Sequence, residues 1–252
     1  MSSYNSNGKF ILHEAVVRED FEFVKLLLEK GANVNSVDDD YQTAIHVSSS
    51  YVTSDNLKIV ELLLDNGADI EVQYKCRILD YCSRELFGKE CSGCYPKNGP
   101  LHYSCIGGNL GLCKLLVKRG ANIDEKGDED NTPLHYVCGE ESEISRMNFK
   151  VFNFLLESGA NIEAFNYDGM TPLVIACNSG KSKIVKLLLQ KGACFDRRTE
   201  QVTPLELATK NGHTKVIQVF REHISSKKIQ YFFRIIMAKN VANRLRVEQI
   251  AS

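Results

Sequence analysis

An all-α solenoid of stacked helix-turn-helix units, joined by β-hairpin fingers, is the fold class that this sequence predicts. Three observations predict it. A Gly-Ala stop closes an aliphatic block five times, in LLLEKGANVN, LLLDNGADIE, LLVKRGANID, LLESGANIE and LLLQKGACFD, with glycines at Gly31, Gly67, Gly120, Gly159 and Gly192. Their spacings are 36, 53, 39 and 33 residues, which a base period of 33 with insertions of 3, 20 and 6 reproduces. Helix starts recur in register with the stops: Thr43-Ala44-Ile45-His46, Gly99-Pro100-Leu101-His102, Thr132-Pro133-Leu134-His135, Thr171-Pro172-Leu173-Val174 and Thr203-Pro204-Leu205-Glu206. A single unit of this kind cannot bury its own apolar face, so the units must stack.

The first unit begins at a degraded start, Phe10-Ile11-Leu12-His13, and carries Glu19-Asp20 where the other turns favour Gly followed by a polar residue, as an N-terminal cap would. In the units that follow, Thr caps a short helix through its hydroxyl and Pro fills the first helical position, where no amide donor is needed. Small residues, Ser104 and Cys105 or Ala176 and Cys177, let a neighbouring helix pack close. The second helix carries the aliphatic block, a left-handed Gly such as Gly192 stops it, and a finger delivers the chain to the next unit. The last unit has Thr203-Pro204 and Gly212-His213, but its second helix, KVIQVFREHI, ends in no Gly-Ala stop and reads as the C-terminal cap. The predicted organisation is an array over 1–226, with an N-cap at about 8–38, repeats at about 39–71, 98–130, 131–167 and 168–200, and a C-cap at 201–226. A Cys-containing finger insertion occupies 73–97, and a basic apolar helix follows at 227–252. The shorter insertions, near 51–54 and 140–147, lengthen turns and cost little.

A 33-residue period carried by these starts and stops resembles the ankyrin-repeat family, over Gly8 to His223. The resemblance implies that the recurring His13, His46, His102 and His135 are structural hydrogen-bonding residues, one per repeat. It implies non-catalytic protein recognition, as an adaptor, scaffold or stoichiometric inhibitor. Binding would use the residues that the repeat leaves free, at the finger tips and the exposed end of each first helix. Some ankyrin proteins are substrate receptors of ubiquitin ligases through a C-terminal box, and the apolar tail leaves that alternative open.

Composition agrees with a soluble chain: 43% apolar, 25% charged, net charge -1. No global field points to nucleic acid, and no apolar run approaches the roughly 18 residues of a membrane span. The start MSSYNSNGKF shows no secretory leader. Nine scattered cysteines fit a reducing compartment better than a disulfide framework. The expectation is a monomeric cytoplasmic or nuclear protein that binds another protein, with no cofactor.

Several residue sets invite chemistry. Cys76, Cys82, Cys91 and Cys94 form a candidate tetrahedral zinc set, or a redox-responsive one, although the first gap is C-x5-C and Leu79, Tyr81, Leu86 and Phe87 would serve an apolar subcluster instead. Asn178-Ser179-Gly180-Lys181-Ser182 ends like a phosphate loop but has Ile175 where the required Gly would stand. No catalytic constellation converges, and no enzyme is expected. The candidate partner-binding residues are Asp38, Asp39, Asp40 and Tyr41 on the first finger, and Glu125, Asp128, Glu129 and Asp130 on the third. Phe165, Asn166 and Tyr167 follow on the fourth, Arg197 and Arg198 on the fifth, and Asn178 and Ser179 at a helix end. A partner with a basic segment fits this series. The tail from 227 carries six Lys or Arg against one Glu, leaving -6 on the rest of the chain, and its broken apolar stripe suits capping the stack or docking a second protein.

Overall fold

A computed structural model of the chain describes residues 11–38, 42–49, 54–72, 98–139, 145–196 and 202–226. The insertion at 73–97 and the tail at 227–252 lie outside the described residues. The polypeptide forms two compact units, Met1–Ile175 and Ala176–Ser252.

The first unit alternates short and long helices: α1 Ile11–Val17, α2 Phe21–Glu29, α3 Ala44–Ser49, α4 Ser54–Asp65, α5 Pro100–Ile106, α6 Leu110–Lys118, α7 Pro133–Gly139 and α8 Ser145–Glu157. The helix α9, Pro172–Asn178, begins in this unit. The short helices α1, α3, α5 and α7 pack side by side, and α2, α4, α6 and α8 form a second row against them. Ile45, Leu101 and Leu134 of the first row and Ile59, Leu63, Leu112, Leu116, Phe152 and Leu155 of the second are all fully buried. Each such chain withdraws apolar area worth roughly 1.5–3 kcal/mol from water, which an isolated helix pair could not do. Helix approach is set by small residues: a Cβ on Gly139 would stand 2.8 Å from Ile175 Cγ2.

A ladder on the loops explains the sequence after each Gly-Ala stop. Asn33, Asp69, Asn122 and Asn161 each accept, through the side chain, the backbone N–H two residues on, at 3.0 or 3.1 Å. The next acceptor reaches the neighbouring repeat: Asn35 Oδ1 takes the Asp69 N–H (2.9 Å), Glu71 Oε1 the Asn122 N–H (2.6 Å) and Asp124 Oδ1 the Asn161 N–H (2.8 Å). Polar side chains therefore stitch successive stops together.

The second unit holds the end of α9, α10 Ser182–Gln190, α11 Pro204–Lys210 and a helical stretch over 214–226. Ala176, Cys177, Val185, Leu188, Ala208, Val216 and Phe220 are its fully buried residues. Thr203 caps α11 in a reciprocal box: its hydroxyl accepts the Glu206 N–H (3.2 Å) and Glu206 Oε2 accepts the Thr203 N–H (2.8 Å). Among the described residues no helix is long and apolar enough to cross a membrane.

Candidate partner-binding fingers

Among the described residues of the first unit, three fingers are each closed by a backbone hydrogen bond between residues four apart. Asp38 N donates to Gln42 O (2.9 Å), Gly127 N to Asn131 O (2.8 Å) and Asn166 N to Met170 O (3.1 Å). The first is flanked by an isolated antiparallel bridge, Val37 to Thr43. In the first and last of these loops an Asp or Asn side chain also takes the returning amide: Asp38 Oδ1 from Gln42 N and Asn166 Oδ1 from Met170 N, both 2.8 Å.

Beneath the fingers the histidines hold the helix starts. His46, His102 and His135 accept through Nδ1 from the amides of Thr43, Gly99 and Thr132 at 3.1–3.3 Å. Each then points Nε2 at a loop carbonyl, Val72 O (3.1 Å), Glu125 O (3.0 Å) and Met170 O (3.0 Å). The arrangement requires the neutral Nε2–H tautomer, and burial lowers all three pKa values to about 4, against the opposing pull of those carbonyls. The hydroxyls of Thr43 and Thr132 turn to the same Nδ1 atoms (2.8 Å), so here a His ring, rather than the Thr side chain alone, serves the first turn. His13 Nε2 meets Gln42 O at 2.7 Å. The four histidines are thus the structural residues that the repeat reading expected.

The third and fourth fingers are tied together. Tyr167 N donates to Glu129 O at 2.7 Å, and Asn166 Nδ2 donates to Asn131 Oδ1 at 3.0 Å. The third finger runs through a 3₁₀ turn, Asp128–Asp130, in which Glu129 (φ 52°) and Asp130 (φ 57°) both adopt the left-handed conformation. The fourth finger places Gly169 (φ 69°) at the position of Asp130. Left-handed backbone costs a residue with a side chain on the order of 1 kcal/mol, so the third finger holds its acidic tip against local strain. The Asp128 amide is held from below by Asn98 Oδ1 (3.1 Å), which also accepts from Tyr136 Oη (2.9 Å).

The structure sorts the sequence candidates. Phe165 and Tyr167 are exposed, at 41% and 51%, Glu129 is exposed, and Asp38, Asp128 and Asp130 are half-buried. Asp130 pairs with Lys126 at 3.4 Å. Two expectations of exposure are corrected, and a third residue is exposed as expected but engaged. Asn166 is only 6% exposed because both ends of its amide are used inside the fingers. Glu125 is buried, with its carbonyl on His102. Asn178 is exposed but committed within the second unit: its Oδ1 accepts from Asn211 Nδ2 (2.9 Å), and its carbonyl faces His213 Nε2 (2.8 Å). Ser179 beside it is half-exposed. Asp39, Asp40, Tyr41, Arg197, Arg198 and the four cysteines Cys76, Cys82, Cys91 and Cys94 lie outside the described residues. Among the described residues no group of His, Cys, Asp and Glu is arranged to hold a metal ion.

Sequence reasoning passed over Tyr103 and Tyr136. Both follow the His of a start, in the repeated triplet Leu-His-Tyr, and both lie half-buried under the fingers. Tyr103 meets His46 edge to face at 5.9 Å between ring centres, and Tyr136 meets His102 at 5.7 Å. Burial, opposed by the Asn98 hydrogen bond and aided by the charges of Asp128 and Glu129, pushes the Tyr136 phenol up to about 12. The repetition of that triplet was the signal that could have found them.

Paired helices and stitched stops define a helical repeat array. The family model described as "Ankyrin repeats (3 copies)" matches residues 1–74, 80–166 and 142–230, and the chain belongs to the ankyrin-repeat family. It is similar in fold to the ankyrin repeat domain of human ASB11, with a TM-score of 0.64, 24% identity, and coverage of 84% of this chain and 83% of that one. Human transient receptor potential cation channel subfamily A member 1 is 26% identical over 83% of this chain and 20% of its own length. Human ankyrin repeat and SOCS box protein 16 is 28% identical over 74% of this chain and 37% of its own. The chain therefore spans well under half of either relative. Ankyrin repeats are a protein–protein interaction fold and generally non-catalytic.

Proposed function

We propose that the chain is a non-enzymatic recognition module, an adaptor, scaffold or stoichiometric inhibitor, that seats a partner protein on the third and fourth fingers. One observation carries this reading. The Tyr167 to Glu129 hydrogen bond fixes two exposed aromatic residues beside an acidic tip on a loop pair that is already ordered. Pre-ordered fingers lose little entropy on association, and rigid aromatic side chains are the residues that dominate binding energy. The partner presents a segment with basic and apolar side chains, matched to Phe165, Tyr167, Asp128 and Glu129. The chain works as a cytoplasmic or nuclear monomer, without a cofactor.

The test is affinity capture with the wild-type chain and with the Phe165→Ala/Tyr167→Ala variant. A partner retained by the first and lost by the second supports the finger site; identical captured sets contradict it.

A second reading is a ubiquitin-ligase substrate receptor acting through the tail 227–252. Likeness to a relative named for ankyrin repeats and a SOCS box supports it. Deleting the tail should then remove ligase components from the captured set and leave the substrate.

A further inference from the structure

The third repeat buries a pair of facing thiols between its two helices. Cys105 lies on α5 and Cys113 on α6, both at 0% exposure, with their sulfurs 3.7 Å apart. Ser104 Oγ stands 3.2 Å from Cys113 Sγ and donates to Leu101 O at 2.8 Å. Both cysteines are free thiols. The two sulfurs thus face one another in the buried interior of the repeat.

We propose that Cys105 and Cys113 form an oxidisable dithiol, which a small hydroperoxide converts to a disulfide that staples α5 to α6. The sulfurs are already in van der Waals contact, and closure to a bond of about 2.0 Å needs a movement of about 0.8 Å from each. The two thiols are not equivalent. Cys113 is the more acidic, because the Cys105 S–H is placed to donate to its sulfur, whereas burial pushes Cys105 well up. This asymmetry gives the order of events. The Cys113 thiolate attacks one peroxide oxygen, the O–O bond breaks, and hydroxide leaves to be protonated to water, with a sulfenic acid on Cys113. The Cys105 sulfur then displaces that hydroxyl, which departs as a second water with the Cys105 proton. Two thiols and one hydrogen peroxide thus give one disulfide and two waters, and the two electrons lost by the sulfurs reduce the peroxide.

Burial selects the oxidant. A molecule of water's size reaches the pair through a local opening of the helix pair, whereas a bulky disulfide such as oxidised glutathione would need α5 and α6 to separate. The turn between them, Gly107-Gly108, is the point at which such an opening would hinge. The closed disulfide spans only that turn and would hold the third repeat together without joining it to another.

Trypsin reads the outcome directly, because Cys105 and Cys113 are the two cysteines of a single peptide, residues 98–114, between Lys97 and Lys114. The reduced full-length chain is exposed to hydrogen peroxide or to oxidised glutathione, quenched, alkylated under denaturing conditions and digested. With peroxide, the expected peptide is unalkylated, about 2 Da lighter than the dithiol, and doubly alkylated once dithiothreitol is added. With oxidised glutathione it stays doubly alkylated. In Cys105→Ser, a sulfenic-acid trap such as dimedone should label Cys113, and in Cys113→Ser it should leave Cys105 unlabelled. A doubly alkylated peptide at a peroxide dose that oxidises the half-exposed Cys194, or either cysteine recovered linked to another peptide, overturns the proposal. The wild-type mass shift decides the matter even if a serine variant fails to fold.

Discussion

The Tyr167 amide donates to the Glu129 carbonyl at 2.7 Å, and this one hydrogen bond locks the tip of the fourth finger to the left-handed turn of the third. It is a main-chain bond, so it survives substitution of either side chain. The tip can therefore change its surface chemistry without losing its shape, the property a recognition surface needs. The side chains on the two sides of the bond, exposed aromatics and an acidic turn, are the surface that the proposed site offers a partner.

Stability should fall steeply with acid. His46, His102 and His135 have folded pKa values of about 4, below the unfolded value of 6.5. As pH falls, the unfolded chain takes up these protons first, so the native state is fully favoured above about 6.5 and loses ground down to about 4. At pH 5 each histidine contributes about 2 kcal/mol less than at pH 7.5. Urea midpoints measured at those two pH values should differ by most of the protein's stability; matching midpoints would exclude buried neutral histidines.

Gly180 has φ +68°, and a Cβ there would stand 2.7 Å from His213 Nδ1. Gly180→Ala should cost about 2 kcal/mol, from backbone strain and from displacing the His213 ring off the Asn178 carbonyl. Conversely, Asp130→Gly relieves a left-handed Asp and should gain about 0.5 kcal/mol, since the exposed Lys126 pair contributes little. Thermal denaturation of the two variants should shift in opposite directions.

Asp124→Ala removes the acceptor for the Asn161 amide and one rung of the ladder between stops, at a cost of about 1 kcal/mol. Arg119, which reaches Asp65 at 2.8 Å and Glu61 at 3.7 Å from an exposed surface, should cost less when replaced by Ala. Chemical denaturation that ranks Arg119→Ala above Asp124→Ala would reverse this account of what joins the repeats.

The helix starts and Gly-Ala stops made the array legible in the sequence, because a period of 33 residues with capped ends has few other structural meanings. The exposure of Phe165 and Tyr167 was also legible, since they flank a turn residue. The burial of Asn166 was not, nor were the hydrogen bonds that engage the exposed Asn178. An Asn at a loop tip or a helix end reads the same whether its amide faces solvent or a protein partner, and only the positions of Met170, Asn131 and Asn211 distinguish the two. Glu125 misled in the same way, because its place in the finger is set by a histidine 23 residues earlier. The insertion at 73–97 matches no part of the repeat, yet its flanks are fixed: a Cβ on Gly99 would lie 3.8 Å from Val72 O, the atom that His46 contacts.

The central claim is that the two bonded fingers present the binding site. Calorimetry of the captured partner with the wild-type chain and with Phe165→Ala/Tyr167→Ala tests it most directly. The account predicts a dissociation constant raised about 30-fold or more, roughly 2 kcal/mol, with the melting temperature unchanged. An unchanged dissociation constant in a folded variant would contradict it.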